Sequence, residues 1–351
     1  MKANLCRAGA LLAALLFTSV LAVAGDDGRT VLVLTSTNNP SGNNVVVFKL
    51  DTMGTPSLSM VDMLSTGGKG GASTNAGILQ FKDDLGAVAN YGSNTVTELV
   101  RDGEYVTIGR TIKLAPGCMN PDSVALTKEN LFVVGTTCAE SHTWPWGGVD
   151  GTVSLSDPSA AQIAVGQTWA AVTLTSGSVL QLPLTSYGAL NGMSNTVKLP
   201  AMANSIPLGE AFWDNILGFT PAHSPNSFAI VDKNRNVFPI VGPTPPYPTN
   251  APCWVAKGPG SVWYTGNSPG QAISIFFTDG QGGEFYKSIA LPGSPTDITV
   301  SRDHKWLAVI YAAAGEAYVA VFSIDDYGDL TPVATSNSVG VAAFSGVAFS
   351  Q

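Results

Sequence analysis

The chain of 351 residues has a formal net charge of −8 at pH 7, from 17 basic and 25 acidic residues, and only 12% of its residues are charged. An acidic chain without basic runs argues against nucleic acid and against an anionic membrane surface as partners. Glycine and small polar residues take the place of charges, a composition typical of a β-protein with many turns.

The first 24 residues have the pattern of a secretory signal peptide. Lys2 and Arg7 form a basic start, an apolar core follows at 8–20, and Ala22-Val23-Ala24 forms a small-residue cleavage site. We therefore expect residues 25–351 to be exported to a periplasmic or extracellular compartment as a single domain. No later apolar run is long enough to cross a membrane, so the mature chain is expected to have no membrane span.

From residue 31 onward, the chain repeats a unit of short apolar strands separated by turn residues. One strand of the unit occurs seven times, starting roughly every 45 residues, which is the period of a four-stranded β-propeller blade. Its copies are Val31–Ser36, Leu85–Tyr91, Leu131–Thr137, Trp169–Thr175, Ile216–Ala222, Ser261–Asn267 and Trp306–Ala312.

The two ends of the repeat region complement each other. The first copy lacks the strand that precedes it in the other units, and the chain ends in a spare strand, Ala343–Phe349. Pairing that strand with Val31–Ser36 would close the ring and remove the open edges of a linear array. The predicted fold class is therefore all-β: a seven-bladed β-propeller whose C-terminal strand completes blade one.

Blade three is the irregular one. We predict its third strand at Gly151–Asp157, preceded by an inserted loop at Glu140–Gly148. In such a ring, the loops that enter the inner strands and those that join the second and third strands share one face. The insertion, with His142 and two tryptophans, is therefore predicted on that face.

The cysteines predict a disulfide. Cys118 precedes the inner strand of blade three and Cys138 follows its second strand, so both fall on the same face. An exported protein meets an oxidising compartment, and this short loop closure is worth about 3 kcal/mol. Cys253 is predicted to be a buried free thiol. No C-x-x-C element is present and histidine is scarce, so neither a metal site nor a cofactor is expected.

The stretch Asn250–Asn267, NAPCWVAKGPGSVWYTGN, resembles the blade repeat of the seven-bladed lactonase family. This family includes the propeller-type 6-phosphogluconolactonases and the carboxymuconate-lactonizing cyclases. The resemblance covers roughly Thr30 to Gln351, and it implies a lactone hydrolase or cyclase.

The resemblance does not extend to the family's catalytic motif. Family lactonases share a Gly-Pro-Arg-His element on an inner strand and a glutamate that ends the following strand. Here Leu208 and Gly209 stand where Arg and His would be, and the following strand ends Thr220-Pro221-Ala222. The family's catalytic residues are therefore not retained.

Three residues are candidates for a rebuilt catalytic site. Glu210 occupies an inner-strand position that aligns with Val124, Ala161, Val255, Ile298 and Val347 of other blades. A buried acid has a raised pKa and can serve as general acid or base; a hydrogen-bonded structural role is the alternative. His142 and His223 are the candidate partners.

Five residues are candidate ligand contacts. Trp144 and Trp146 flank the predicted loop face and can stack on a ring, or else pack as an apolar cap. Lys69 belongs to a glycine-rich loop on the same face and is placed to meet an anion. Asp297 and Trp254 lie on inner strands, and a structural hydrogen bond is the alternative for Asp297.

Three functions remain open on these residues, and the last is a cell-surface or matrix scaffold that would be recognised by an exposed apolar patch on the blade edges. The first is an exported, lactonase-like propeller that binds a small molecule or a protein on the loop face around its central channel. The second is a lactone hydrolase or cyclase with a site rebuilt around Glu210. Because propellers serve many functions, the fold alone does not choose between them.

Overall fold

The computed structural model describes residues 30–71, 76–145, 147–200, 206–222, 227–242, 251–340 and 344–351. Within them, seven four-stranded antiparallel sheets form a ring. The one helix of the described residues is a short 3-10 turn at Tyr91–Ser93. The predicted signal peptide, residues 1–24, lies outside the described residues.

The strands are short and follow one another in blade order. Blades one to three contain β1 (Val31–Ser36), β2 (Asn44–Asp51), β3 (Ser57–Ser65); β4 (Leu79–Lys82), β5 (Leu85–Asn90), β6 (Thr95–Asp102), β7 (Tyr105–Lys113); β8 (Pro121–Leu126), β9 (Asn130–Gly135), β10 (Cys138–Thr143) and β11 (Val149–Ser154). Blades four and five contain β12 (Ala160–Val165), β13 (Trp169–Leu174), β14 (Ser178–Pro183), β15 (Asn195–Val197); β16 (Ile206–Trp213), β17 (Ile216–Ala222), β18 (Ser227–Val231) and β19 (Val237–Val241). Blades six and seven contain β20 (Pro252–Lys257), β21 (Val262–Asn267), β22 (Ala272–Thr278), β23 (Gly283–Ala290); β24 (Ser294–Val300), β25 (Trp306–Ala313), β26 (Glu316–Ile324) and β27 (Leu330–Thr335).

The last strand closes the ring, as the sequence predicts. β28 (Ser345–Ser350) pairs antiparallel with β1, so the innermost strand of blade one comes from the C-terminus. The seven inner strands contact one another in a complete circle that runs β28, β4, β8, β12, β16, β20, β24 and back to β28. The predicted all-β, seven-bladed fold is confirmed.

The apolar core lies between blades because each sheet buries both of its faces against its neighbours. Strands buried on both faces read as continuous apolar runs, which explains segments such as Trp306–Ala313. Between blades five and six, for example, Phe228, Trp263 and Phe276 pack together and are almost fully buried. Burying a large apolar side chain stabilises the folded state by about 1.5–3 kcal/mol, and many such side chains are buried between the blades.

Six inner strands share a β-bulge opposite their second strand. The observed strand pairing corrects the predicted alignment of Glu210 at two places. Its equivalents are Val124, Ile163, Val255, Ile298 and Ala348, rather than Ala161 in blade four and Val347 in blade one. The bulge falls at the same place in each of these strands, so the two errors come from the starting residues, which are Ala160 in blade four and Ser345 in blade one.

Blade three differs from the prediction. Its third strand is β10, joined to β9 by a two-residue turn at Thr136-Thr137, and 149–154 is its fourth strand. The predicted third strand at Gly151–Asp157 and the inserted loop at Glu140–Gly148 are therefore wrong. The polar composition of 138–143 concealed a strand whose burial comes from packing between blades.

The predicted disulfide is confirmed. Cys118 and Cys138 are bonded, with Cα atoms 5.3 Å apart, within the range that a disulfide requires. Cys253 is a buried free thiol, as predicted. We call the face that carries this bridge the disulfide face. The loops after fourth strands and between second and third strands meet there, as in the bond from Asn120 N to Asn94 Oδ1.

No helix within the described residues is long and apolar enough to cross a membrane.

The ring closure generates a test at Gly346 in β28. Gly346 has φ +80°, and an added Cβ would lie 2.6 Å from Ile78 Cγ1 and 3.1 Å from the Leu79 backbone N. Gly346→Ala is expected to lower the free energy of unfolding by more than the about 1–3 kcal/mol that a left-handed non-glycine residue costs. Chemical denaturation measures the difference.

Gly315→Ala is the matched control, because Gly315 has φ +84° and nothing within 4 Å of its added Cβ. Equal losses in the two variants would mean that Gly346 does not pack closely against blade two.

Candidate functional site

Glu210 lies in β16 and is 1% exposed. Its backbone is held by Gln162 of blade four, which accepts from Glu210 N at 2.8 Å and donates to Glu210 O at 2.9 Å. Neither carboxyl oxygen has a hydrogen-bond partner of normal geometry among the described residues. Desolvation raises the pKa of Glu210 well above its ordinary value, and the nearby Ala164 backbone offsets only part of that rise. The carboxyl is thus isolated at a position that is apolar in other blades.

Asp297 lies in β24 and joins three blades at the centre of the ring. Its Oδ1 accepts from Ile298 N at 2.8 Å, and its Oδ2 accepts from Gly77 N and Val347 N, each at 3.3 Å. Burial raises the pKa of its carboxyl to about 7. The three backbone donors favour the charged form and offset only part of this rise. These contacts tie blade seven to blades one and two at the point where the ring closes.

The other predicted contacts in the described inner strands and loops hold the fold together. Trp254 is buried in β20, and its Nε1 donates to Pro295 O of blade seven at 2.7 Å. Lys69 lies on the disulfide face with its side chain exposed. Its backbone makes two hydrogen bonds: the Lys69 N donates to Ser93 Oγ, and the Lys69 O accepts from Gly92 N. Ligand binding by Trp254 and Lys69 stays a prediction.

His142 and Trp144 are not where the sequence analysis placed them. His142 lies within β10 and is 2% exposed, rather than in a loop on the disulfide face. Trp144 follows β10 in a turn on the opposite face, where its N donates to Glu129 O of the β8–β9 turn. The ring of Trp144 is buried against apolar residues of blades two and three. His223 and Trp146 lie outside the described residues.

The partner of His142 is Glu140, not Glu210. Glu210 belongs to blade five, two blades away, whereas Glu140 lies two residues from His142 on the same strand. His142 Nε2 is 2.8 Å from Glu140 Oε1, and both side chains are almost fully buried. Glu140 Oε2 accepts from Ala115 N at 2.8 Å. Because a carboxylate only accepts, it favours the tautomer with the proton on Nε2 and leaves Nδ1 as the basic nitrogen.

His142 lines a cleft of about 290 Å³ between blades two and three. The other lining residues are Arg110–Lys113 of β7 and Gly147–Val149 at the start of β11. Glu98 orients Arg110 by accepting from its backbone N at 3.1 Å and its Nε at 3.3 Å. Two cationic side chains and a histidine therefore surround this cleft, and none of its described lining residues is acidic.

A second cavity, of about 210 Å³, opens on the opposite face beneath blades one, two and seven. Its Arg302 is already ion-paired with Asp83. Arg110 of the cleft at His142 is ion-paired as well, with Glu98. The acidic Asp83 lines the second cavity, whereas none of the described lining residues of the cleft is acidic, so the cleft at His142 is the stronger candidate for an anion.

Glu140 is the residue that the sequence analysis missed. The segment Cys138-Ala-Glu-Ser-His142 alternates, and a strand places every second side chain on one face. Once 138–143 is read as a strand, Cys138, Glu140 and His142 necessarily lie side by side. The polar residues made the segment look like a loop, and this hid the signal.

The comparisons with known proteins concern the fold alone. No protein-family model matches the chain, and neither does any curated protein. A protein of unknown function from Desulfotomaculum acetoxidans superposes with a TM-score of 0.68 at 15% identity, over 92% of this chain and 99% of that one. This chain has the fold of the seven-bladed β-propellers.

Two further solved structures resemble the chain. A provisionally named 6-phosphogluconolactonase from Bacteroides fragilis has a TM-score of 0.63 at 11% identity and covers 93% of this chain and 99% of its own. A catalytically inactive virginiamycin B lyase from Staphylococcus aureus, solved with quinupristin, has a TM-score of 0.55 at 14% identity, over 81% and 92%. The lactonase-like neighbours agree with the resemblance seen in the sequence.

The isolated carboxyl of Glu210 predicts that an apolar replacement stabilises the protein. Glu210→Leu is expected to raise the free energy of unfolding at pH 8 by about 1–3 kcal/mol, the cost of an unpaired buried polar group. Because the pKa of Glu210 is raised in the folded state, the free-energy cost of burying its carboxyl grows as the pH rises above 4.5, the ordinary pKa of a glutamate. The stability gained by Glu210→Leu should therefore be smaller at pH 4 than at pH 8. Denaturation at both pH values measures it.

Glu210→Gln is the control, because it removes the pH dependence and keeps an unpaired polar group. A loss of stability in Glu210→Leu at pH 8 would show that the carboxyl has a partner in the folded protein.

Asp297 predicts a second pH dependence. Between its ordinary pKa of 3.8 and about 7, the folded chain holds a proton that the unfolded chain has lost. Stability therefore falls as the pH rises through this window. In Asp297→Asn this fall is expected to be shallower than in the wild type, as measured by denaturation at steps between pH 4 and pH 8.

Asp62→Asn, a change at an exposed aspartate of β3, should leave the slope unchanged. An unaltered slope in Asp297→Asn would contradict the raised pKa.

Proposed function

We propose that this protein is an exported, lactonase-like propeller that binds a small anionic ligand, such as a sugar acid or an aromatic acid. The proposal rests on one observation: Arg110, Lys113 and His142 line a single cleft between blades two and three. Charge-assisted hydrogen bonds from such groups are stronger than neutral ones. The site thus moves from the loop face around the channel, where the sequence analysis expected it, to the groove between two blades.

Export is part of the proposal. The segment 1–24 has the basic start, apolar core and small-residue end of a signal peptide, and the Cys118–Cys138 disulfide suits an oxidising compartment. An exported binding protein meets ligands outside the cytoplasm, so cytosolic sugar phosphates would not reach it.

The buried acids support binding over the family's reaction. Glu210 is 1% exposed and its carboxyl oxygens have no hydrogen-bond partner of normal geometry among the described residues, and Asp297 accepts from three backbone donors. Neither is arranged to transfer a proton to a ligand.

A lactone hydrolase or cyclase is the second candidate, and the Glu140–His142 pair favours it. A histidine oriented by a carboxylate, with its second nitrogen basic, is the arrangement of a general base. In this version His142 would activate a water for attack on a lactone carbonyl in the cleft, and Glu140 would position His142. Glu210, the residue around which the sequence analysis built this alternative, would play no part.

Binding is tested by thermal shift and calorimetry of the mature protein with gluconate, muconate, benzoate and their lactones. We expect an acid of this panel to bind, and Lys113→Gln to weaken its binding roughly tenfold, since a hydrogen bond to a charged group contributes about 1.5–3 kcal/mol. Lys198→Gln, at an exposed lysine of blade four outside the cleft, is the matched control.

Equal affinities in the wild type and Lys113→Gln would place the ligand elsewhere, and no binding by any acid would contradict the proposal. Turnover of a bound lactone that is lost in His142→Gln and kept in Glu210→Gln would establish the enzyme instead.

A further inference from the structure

The disulfide has a buried carboxylate as its neighbour. Glu140 Oε2 lies 3.9 Å from Cys138 Sγ, and the two cysteine sulfurs and a Glu140 oxygen all lie within 4.8 Å of one another. All three residues are buried, and Cys118, at 8% exposed, is the most accessible of them. Carboxylates are rarely fully buried without charged or polar partners, and Glu140 has two such partners in His142 and the Ala115 backbone N.

We propose that reduction of the Cys118–Cys138 disulfide creates a site for a zinc ion, with the two thiolates and the Glu140 carboxylate as ligands. Thiolates favour Zn²⁺ among the common biological cations, and carboxylate oxygens complete many zinc sites. This inference concerns the reduced protein and does not rest on the proposed function.

The geometry fits a tetrahedral ion. With Zn–S of about 2.3 Å and Zn–O of about 2.1 Å, neighbouring sulfur and oxygen ligands lie about 3.6 Å apart and two sulfurs about 3.8 Å apart. The observed Sγ–Oε2 separation of 3.9 Å is already close to this value. Once the S–S bond is broken, the two sulfurs can move apart to the about 3.8 Å that separates two sulfur ligands of one zinc ion. Three protein ligands leave a fourth position for water.

The surroundings hold the carboxylate in place. Glu140 Oε1 is bound to His142 Nε2 at 2.8 Å, and Ala115 N donates to Oε2. Such outer contacts fix the orientation of a metal ligand and raise its affinity. Thr137 adds support near the sulfurs, because its Oγ1 accepts from Met119 N and donates to Gly117 O on either side of Cys118.

The conversion balances as a two-electron step. A dithiol reductant gives two electrons and two protons to the S–S bond, which becomes two thiols while the reductant becomes a cyclic disulfide. Zn²⁺ then displaces both thiol protons into solvent, because the thiolate is the metal ligand.

Cobalt binding to the reduced full-length mature protein tests the site. The protein is reduced with a dithiol, desalted without oxygen and titrated with Co²⁺ and then Zn²⁺. We expect a thiolate-to-cobalt charge-transfer band that saturates at one ion per chain and is abolished by Zn²⁺. The oxidised protein and reduced Cys118→Ser should not show this band, whereas Cys253→Ser should match the wild type, because Cys253 lies on blade six.

Variants of Glu140 distinguish the proposed site from non-specific binding, because two thiols in a misfolded chain would bind cobalt whether or not a carboxylate were present. Glu140→Gln is expected to weaken zinc binding at least 10-fold, and His142→Gln about 10-fold through loss of the contact that orients the carboxylate. Far-UV circular dichroism checks each fold, and Glu140→Asp replaces Glu140→Gln if the latter is unfolded. No charge-transfer band in the reduced wild type, or zinc affinity independent of residue 140, would overturn the proposal.

Discussion

The pairing of β28 with β1 joins the two ends of the ring, and the burial of every other sheet depends on it. A twisted blade is apolar on both faces, so it is stable only between two neighbours. With the ring open, blades one and seven would each expose an apolar face and an unpaired strand edge. The glycine at 346 allows β28 to approach blade two closely, and Asp297 reaches from blade seven to backbone donors of blades one and two.

Asp297 and Glu210 show two outcomes of burying an acid in the same architecture. Asp297 lies one residue before Ile298, the apolar residue that occupies the position of Glu210 in blade seven. Its carboxylate accepts from three backbone N–H groups where the ring closes. Glu210 occupies the apolar position itself and faces a packed blade interface, where no donor of normal geometry is available among the described residues. The difference is one residue of register, because successive side chains of a strand point to opposite sides.

The alternation of β10 connects the disulfide to the cleft. Cys138, Glu140 and His142 lie on one side of the strand, so a single carboxylate touches a cysteine sulfur, the backbone before Cys118 and the histidine that lines the cleft. A change at the sulfurs therefore acts on the group that orients His142. This physical connection joins the two proposed sites while leaving each testable on its own.

Much of this fold is determined by the sequence alone. The period of the strands, the spare C-terminal strand and the Cys118–Cys138 pair are local or nearly local signals, and the second strands were predicted to within one or two residues at each end. Local patterns suffice because each blade is a continuous stretch of chain with tight turns. The same holds for the apolar runs, since both faces of a blade are buried.

Tertiary structure decided the site. A polar strand such as β10 has no apolar pattern to mark it, because its burial comes from the neighbouring blades and from the loop that carries Cys118. The pairing of the inner strands with their second strands fixed which residues are equivalent between blades. His142 pairs with Glu140 rather than Glu210 because Glu210 lies two blades away. The cleft itself is formed by residues about 30 positions apart on two blades. Only the packing of those blades brings Arg110, Lys113 and His142 together, since no local spacing in the chain relates them.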